Sequence, residues 1–222
     1  MRPLLPAPHV LVAGLFALSV TVAVPTSAQD LACTQSAKRY SGGEPKSCQL
    51  SRADTVLGFR LPVGSELFFG SPKILTWVKL PRETAFGSLT LPARATVFFT
   101  RSGQMRGFWL HDEAMIQGHL VPGHEDGVGN KVLPDGTVRA IWLAHEEVID
   151  GVPCTSDVSV FRMGFHAMRL GTQRMVWLYD DGRLQQAMVA HDITIQDHAF
   201  KAGDVISLRR DGTIDLTAQK AQ

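Results

Sequence analysis

Imidazole beside carboxylate is the pairing that holds divalent metals or relays protons, and this chain of 222 residues places the two together more than once. His111, Asp112 and His119 fall close together, with His124, Glu125 and Asp126 just beyond, and His145-Glu146 and His191-Asp192 repeat the theme. If these segments stack, His111, Asp112, His119, His145, Glu146, His191 and Asp192 become candidate metal ligands; the plainer reading is a set of solvated polar turns. No tight ligand motif is present, because His145-Glu146-Glu147 begins an HExxH pattern and lacks its second histidine. Two carboxylates such as Glu113 and Glu146 have the chemistry for glycoside hydrolysis. Acids recur at these positions from segment to segment, however, whereas a catalytic constellation is unique. GxSxG, phosphate-loop and GxGxxG patterns are missing from the sequence, so no catalytic residue and no cofactor is assigned.

Three cysteines allow at most one internal bridge. Cys33 and Cys48 are the expected disulfide, pinning the N-terminal segment to the first hairpin. Cys154 sits in an apolar column and is expected to be a buried free thiol. Cys48 and Cys154 lie about three repeat units apart, beyond the ~7 Å limit for a bridge in an open stack; a closed barrel would bring them back into question. Trp109 and Trp142 share one column with Lys79 and Met188. Their position admits two readings, core packing or an exposed aromatic strip that stacks on sugars or a partner protein.

The elements that must position these residues form a repeat. Residues 58–69, GFRLPVGSELFF, match residues 88–99, SLTLPARATVFF, so that Leu61 falls on Leu91, Pro62 on Pro92 and Phe68 on Phe98. A second block recurs at residues 49, 79, 109, 142 and 188, at spacings of 30, 30, 33 and 46. Its columns are apolar: Leu50, Leu80, Leu110, Leu143 and Val189 in one, Val56, Phe86, Ile116, Ile149 and Ile195 in the other. Turn glycines form a third column, Gly43, Gly103, Gly136, Gly182 and Gly212, interrupted by Lys73. Three of them follow aspartate, the signature of a type I′ hairpin turn.

One unit reads as strand 96–100, turn at Ser102-Gly103, strand 105–110, an acidic turn, short strand 115–117 and a loop ending in Leu-Pro. Helical periodicity is lacking after the first 28 residues, and β-branched and aromatic residues fill the runs. The expected fold is all-β: about six stacked hairpin repeats of ~30 residues in an extended or curled antiparallel sheet, solenoid-like or barrel-like. A 30-residue unit cannot bury enough apolar surface alone and needs its neighbours. The longer spacings place insertions within 122–131 and 157–172, and the latter is a candidate for member-specific function.

This pattern, with its LxxDxxIxG and LPxGxxVxF blocks and DG turns over residues 41–216, resembles MORN-type hairpin repeats and exported bacterial β-hairpin-repeat proteins. The tyrosine-glycine steps of MORN repeats are absent here, and the resemblance brings no catalytic residue with it.

Residues 1–28 read as a signal peptide: Arg2, an apolar run over 10–24, then Pro25-Thr26-Ser27-Ala28. As a helix that run spans about 22 Å, short of the ~30 Å hydrocarbon core. A retained anchor and a lipoprotein at Leu31-Ala32-Cys33 are the alternatives, and Asp30 stands where a lipobox takes an aliphatic residue. The expected organisation is then an N-terminal segment 29–40, the repeat domain 41–216 and a tail 217–222, periplasmic or secreted and without a transmembrane segment in the mature chain. Composition is that of a folded domain, 45% hydrophobic and 19% charged. Lys and Arg total 22 against 21 Asp and Glu, and without Arg2 the balance is 21 to 21, which excludes a polyanion-binding class such as nucleic-acid binders. The expected function is a non-enzymatic binding or structural module of the cell envelope, its partner an envelope protein or glycan; the alternative is a metal-dependent or acid-base enzyme using the His, Asp and Glu turns.

Overall fold

Alternation of side chains decides the long strands. In Glu66–Ser71, Leu67 and Phe69 are buried while Glu66 and Phe68 face the other way; Thr96–Phe99 buries Val97 and Phe99 in the same manner. The computed structural model describes residues 31–34, 38–123, 129–156 and 175–219. Residues 1–28, read as a signal peptide, and the 157–172 insertion fall outside those residues, as do His124, Glu125, Asp126 and His166.

Long hairpins form between Glu66–Ser71 and Ile74–Lys79, Thr96–Phe99 and Met105–Trp109, Asn130–Val132 and Val138–Ile141, and Val176–Leu178 and Leu184–Met188. Together with Lys38–Arg39, Pro45–Gln49 and Val205–Ser207 they make one 11-stranded antiparallel sheet whose members neighbour each other in chain order. Among the described residues the fold is all-β apart from the single turn of helix at Leu216–Gln219. Of the extended and barrel-like alternatives, the extended sheet is the one adopted: among the described residues Lys38–Arg39 and Val205–Ser207 are its two end strands and do not pair with each other, and Asp215 N–H caps Ser207 O at 2.8 Å. Both are short, which limits the unpaired backbone they present.

Between the long hairpins lie five short ones: Asp54–Val56 with Phe59–Leu61, Thr84–Phe86 with Leu89–Leu91, Ala114–Ile116 with His119–Val121, Glu147–Ile149 with Val152–Cys154, and Ile193–Ile195 with His198–Phe200. The segment read from sequence as a loop ending in Leu-Pro is therefore a strand. Its turn explains the difference. Leu57-Gly58, Gln117-Gly118, Asp150-Gly151 and Gln196-Asp197 all hold positive φ at both residues, the type I′ geometry, although leucine and glutamine rarely announce it.

The Asp-Gly turns depart from expectation in the opposite direction. Gly136, Gly182 and Gly212 have φ of 90°, 82° and 84°, but Asp135, Asp181 and Asp211 do not share the positive region. Instead Gly136 N–H donates to Leu133 O at 3.0 Å and Leu133 N–H to Thr137 O at 2.8 Å, a type I turn followed by a left-handed glycine and a bulge. Pro134, with its fixed negative φ, occupies the second position of that turn, which leaves aspartate third. The aspartate carboxylates accept the N–H two residues on, Thr137 from Asp135 and Thr213 from Asp211, both at 2.9 Å. Lys73, the exception in the glycine column, adopts the same backbone with φ 66°.

A single apolar cluster joins the sheet to the short hairpins. Leu50, Leu80, Leu110, Leu143 and Val189 are all at most 2% exposed, and Val56, Phe86, Ile116 and Ile149 are buried beside them. After Pro62 and Pro92 the chain makes a turn with positive φ at Gly64 and Arg94. Those residues donate to Leu50 O and Leu80 O at 2.8 and 2.7 Å, and Gly203 repeats the bond to Val189 O. Leu50, Leu80 and Val189 are thus tied by their backbone carbonyls to the turn that follows each short hairpin. Among the described residues no helix is long and apolar enough to cross a membrane.

Candidate functional site

The short hairpins and the turns leading into them carry the histidines among the described residues and the acids that pair with them. His119 lies on the return strand of the third hairpin and reaches the fourth, its Nδ1 2.8 Å from Glu147 Oε1. His191 Nδ1 stands 3.0 Å from Glu146 Oε1, joining two consecutive units in the same way. Asp192 accepts from Lys201 Nζ at 2.7 Å and from Ala202 N–H at 3.0 Å; the Lys201 bond first, then the backbone bond, holds its carboxyl below the ordinary 3.8. Asp112 pairs with Arg94 at 3.4 Å and lies 3.9 Å from His111 Nε2. His145 is exposed in its turn.

Of the candidate ligands, stacking joins His191 to Glu146 across a unit boundary, while His119 meets Glu147 and Asp192 meets Lys201 instead. Among the described residues no three His, Cys, Asp or Glu side chains are grouped so as to hold a metal ion. A two-member pair spanning a unit boundary braces the stack. Glu147 was not singled out in the sequence, and its only signal was its place in the column of Asp54, Thr84 and Ala114.

Cys33 and Cys48 form the expected disulfide, with Cα atoms 5.4 Å apart. Cys154 is buried and free, its Sγ 3.3 Å from Val152 O. Desolvation raises the thiol pKa from 9.0 to about 12, which leaves no thiolate for nucleophilic chemistry near neutrality.

The second face of the sheet, turned away from the core cluster, carries its own group of aromatic residues, apart from Phe69, Phe86, Phe99, Phe108 and Phe200 in the core. Strand register sets Phe68, Trp77 and Phe98 side by side, and continues through Gly107, Lys131 and Ala140 to Trp177. Trp109 lies diagonal to Phe98 with ring centroids 4.5 Å apart, and Phe68 stacks on Trp77 at 5.1 Å and 8°. Lys131 Nζ sits 4.4 Å above the Trp177 ring. Trp142 is 6% exposed and packs with Ala140, Met175 and Trp177 in a small cluster separate from the core. All four tryptophans of the chain thus lie on this face.

No family model, curated protein or solved structure matches this chain. The site therefore has to be read from its own geometry.

Trp109 and Trp142, singled out in the sequence, resolve differently: Trp109 is half-buried on the second face and Trp142 buried within its small cluster. Phe68, Trp77, Phe98 and Trp177 were not assigned to the strip. Their signal was present in the alternation, since Phe68 stands between buried Leu67 and Phe69 and so must face the other way. At the first-strand end of the same face a shallow cavity of about 220 Å³ is lined by Thr34, Ser47, Gln49, Glu66 and Trp77, among others. Thr34 is held there by its N–H to Gln49 O, 2.9 Å, and by the adjacent disulfide.

Proposed function

We propose that this protein is an exported, non-enzymatic β-repeat module of the cell envelope, periplasmic or secreted, that binds its partner through the second face of the sheet. The half-buried aromatic side chains of this face carry the reading: Phe68, Trp77 and Phe98 side by side, Trp109 beside them, and Trp177 at the far end of the same register beyond Gly107, Lys131 and Ala140. Trp77 and Trp177 stand five strand spacings apart, about 24 Å at ~4.8 Å per strand, and the sheet holds the rings between them in fixed register. Aromatic rings presented on a rigid scaffold supply contact area at little entropic cost. Export is supported by the charge, apolar run and small-residue order of residues 1–28 and by a disulfide of the kind that persists in oxidising compartments. Engagement of the His119–Glu147 and His191–Glu146 pairs with each other supports bracing rather than catalysis.

Retention of the purified protein on immobilised envelope fraction tests this reading. Phe98→Lys and Trp177→Lys should abolish retention, while Met115→Lys and Val148→Lys, at positions 62% and 66% exposed on the short hairpins, should bind as the parent protein does. Equal retention of all four variants, or none by the parent protein, overturns it.

A further inference from the structure

The cavity beside Trp77 has a composition that selects among partners, and the argument rests on the binding-face reading above, which it deepens. A pyranose ring presents an apolar C–H face and a rim of hydroxyls that both donate and accept. An aromatic ring takes the first, and planar amide or carboxylate groups take the second. The cavity offers both: Trp77 on one side, its ring backed on one face by Phe68, with Gln49, Glu66 and Ser47 around it. Glu66 is exposed, and its carboxylate makes no hydrogen bond or ion pair among the described residues, so its acceptors remain available. Gln49 Nε2 has only a long bond to Gly64 O, 3.4 Å. A volume of about 220 Å³ lies below the ~300–1,000 Å³ of drug-sized pockets and suits a single ring. The register neighbour of Trp77 is Phe98, so a chain leaving the cavity meets further aromatic surface.

We propose that this cavity is a subsite for one neutral pyranose ring of a linear glycan, with Trp77 against the ring face and Glu66 and Gln49 on its hydroxyls. Lys79 is the register neighbour of Glu66 but does not line the cavity, so the Glu66 carboxylate is the charge that a bound ring meets, and it disfavours acidic sugars by solvent-screened like-charge repulsion. The wall carrying Thr34 is pinned by the Cys33–Cys48 bridge, which shapes the subsite before ligand arrives.

Calorimetric titration of the purified protein with chitohexaose, cellohexaose and hexagalacturonate decides the matter. A neutral hexasaccharide should bind, and hexagalacturonate about tenfold more weakly or not at all. Trp77→Ala should weaken neutral binding about tenfold, and Glu66→Gln should narrow the gap between neutral and acidic probes. Glu66→Ala, at an exposed position, should lower neutral affinity without changing the melting temperature, which keeps the test valid even if Trp77→Ala fails to fold. Absence of neutral-sugar binding, or binding indifferent to both Trp77 and Glu66, overturns the subsite. If the titrations are silent while Phe98→Lys and Trp177→Lys still abolish envelope retention, the sugar assignment falls and the binding face stands; retention indifferent to those two variants removes the face itself.

Discussion

Cys154 shows burial overriding chemistry at the scale of one residue. The thiol is 0% exposed, and desolvation lifts its pKa from 9.0 to about 12. A folded-state pKa above the unfolded one means that the buried neutral thiol favours folding below pH 9.0, and that this contribution is lost as pH rises through the folded value. Two outcomes are expected. Native protein at pH 8 should give no reaction with Ellman's reagent, and one thiol per chain should appear on unfolding; the denaturation midpoint should fall above pH 9 more steeply in the parent protein than in Cys154→Val. Rapid labelling of the native thiol would contradict the burial. Column position alone made this residue legible in the sequence. The Glu146–His191 and His119–Glu147 pairs were legible only as neighbouring columns, because side-chain direction at a unit boundary depends on how far one hairpin is displaced from the next.

Among elements, turns that share a column are not equivalent. Gly136 and Gly182 occupy the same position in successive long hairpins with φ of 90° and 82°, yet their surroundings differ. A Cβ on Gly136 would stand 2.3 Å from Phe86 O, whereas one on Gly182 would meet nothing within 4 Å. The cause is a contact between distant segments: the tip of the second short hairpin rests on the Asp135-Gly136 turn, with Ser88 N–H donating to Asp135 O at 3.2 Å. Gly182→Ala should therefore cost about 1–2 kcal/mol of left-handed strain, and Gly136→Ala more than ~3 kcal/mol because backbone must also move; urea denaturation would separate them. Equal costs would mean that the hairpin tip does not bear on the turn. The tips also hold the next unit: Gln117 Nε2 donates to Gly136 O at 3.3 Å while its Oε1 accepts from Val138 N–H at 3.1 Å. Gln196 repeats the clamp on Gly212 and Ile214 at 2.8 and 3.1 Å. Nothing in local composition distinguishes a clamping glutamine from a solvated one.

As a whole molecule the chain is a quasi-one-dimensional stack, so stability should vary along it rather than belong to it uniformly. The disulfide closes a separation of 15 residues at one end, for which the chain-entropy model gives about 3 kcal/mol. Replacing Cys33 and Cys48 with serine should speed amide exchange in Pro45–Gln49 and the first short hairpin while leaving Val176–Leu178 unchanged. Uniform acceleration would show a single cooperative unit instead. Period, apolar columns, the positions of the turn glycines and the Cys33–Cys48 pairing could all be read from residue order, because alternation, the tolerance of glycine for positive φ and short loop closure are local properties of a chain. Whether the stack closes, which aromatic residues share a face across neighbouring strands, and which hairpin tip meets which turn depend on sheet twist and on register accumulated over 11 strands. Those quantities exist only once the units are assembled.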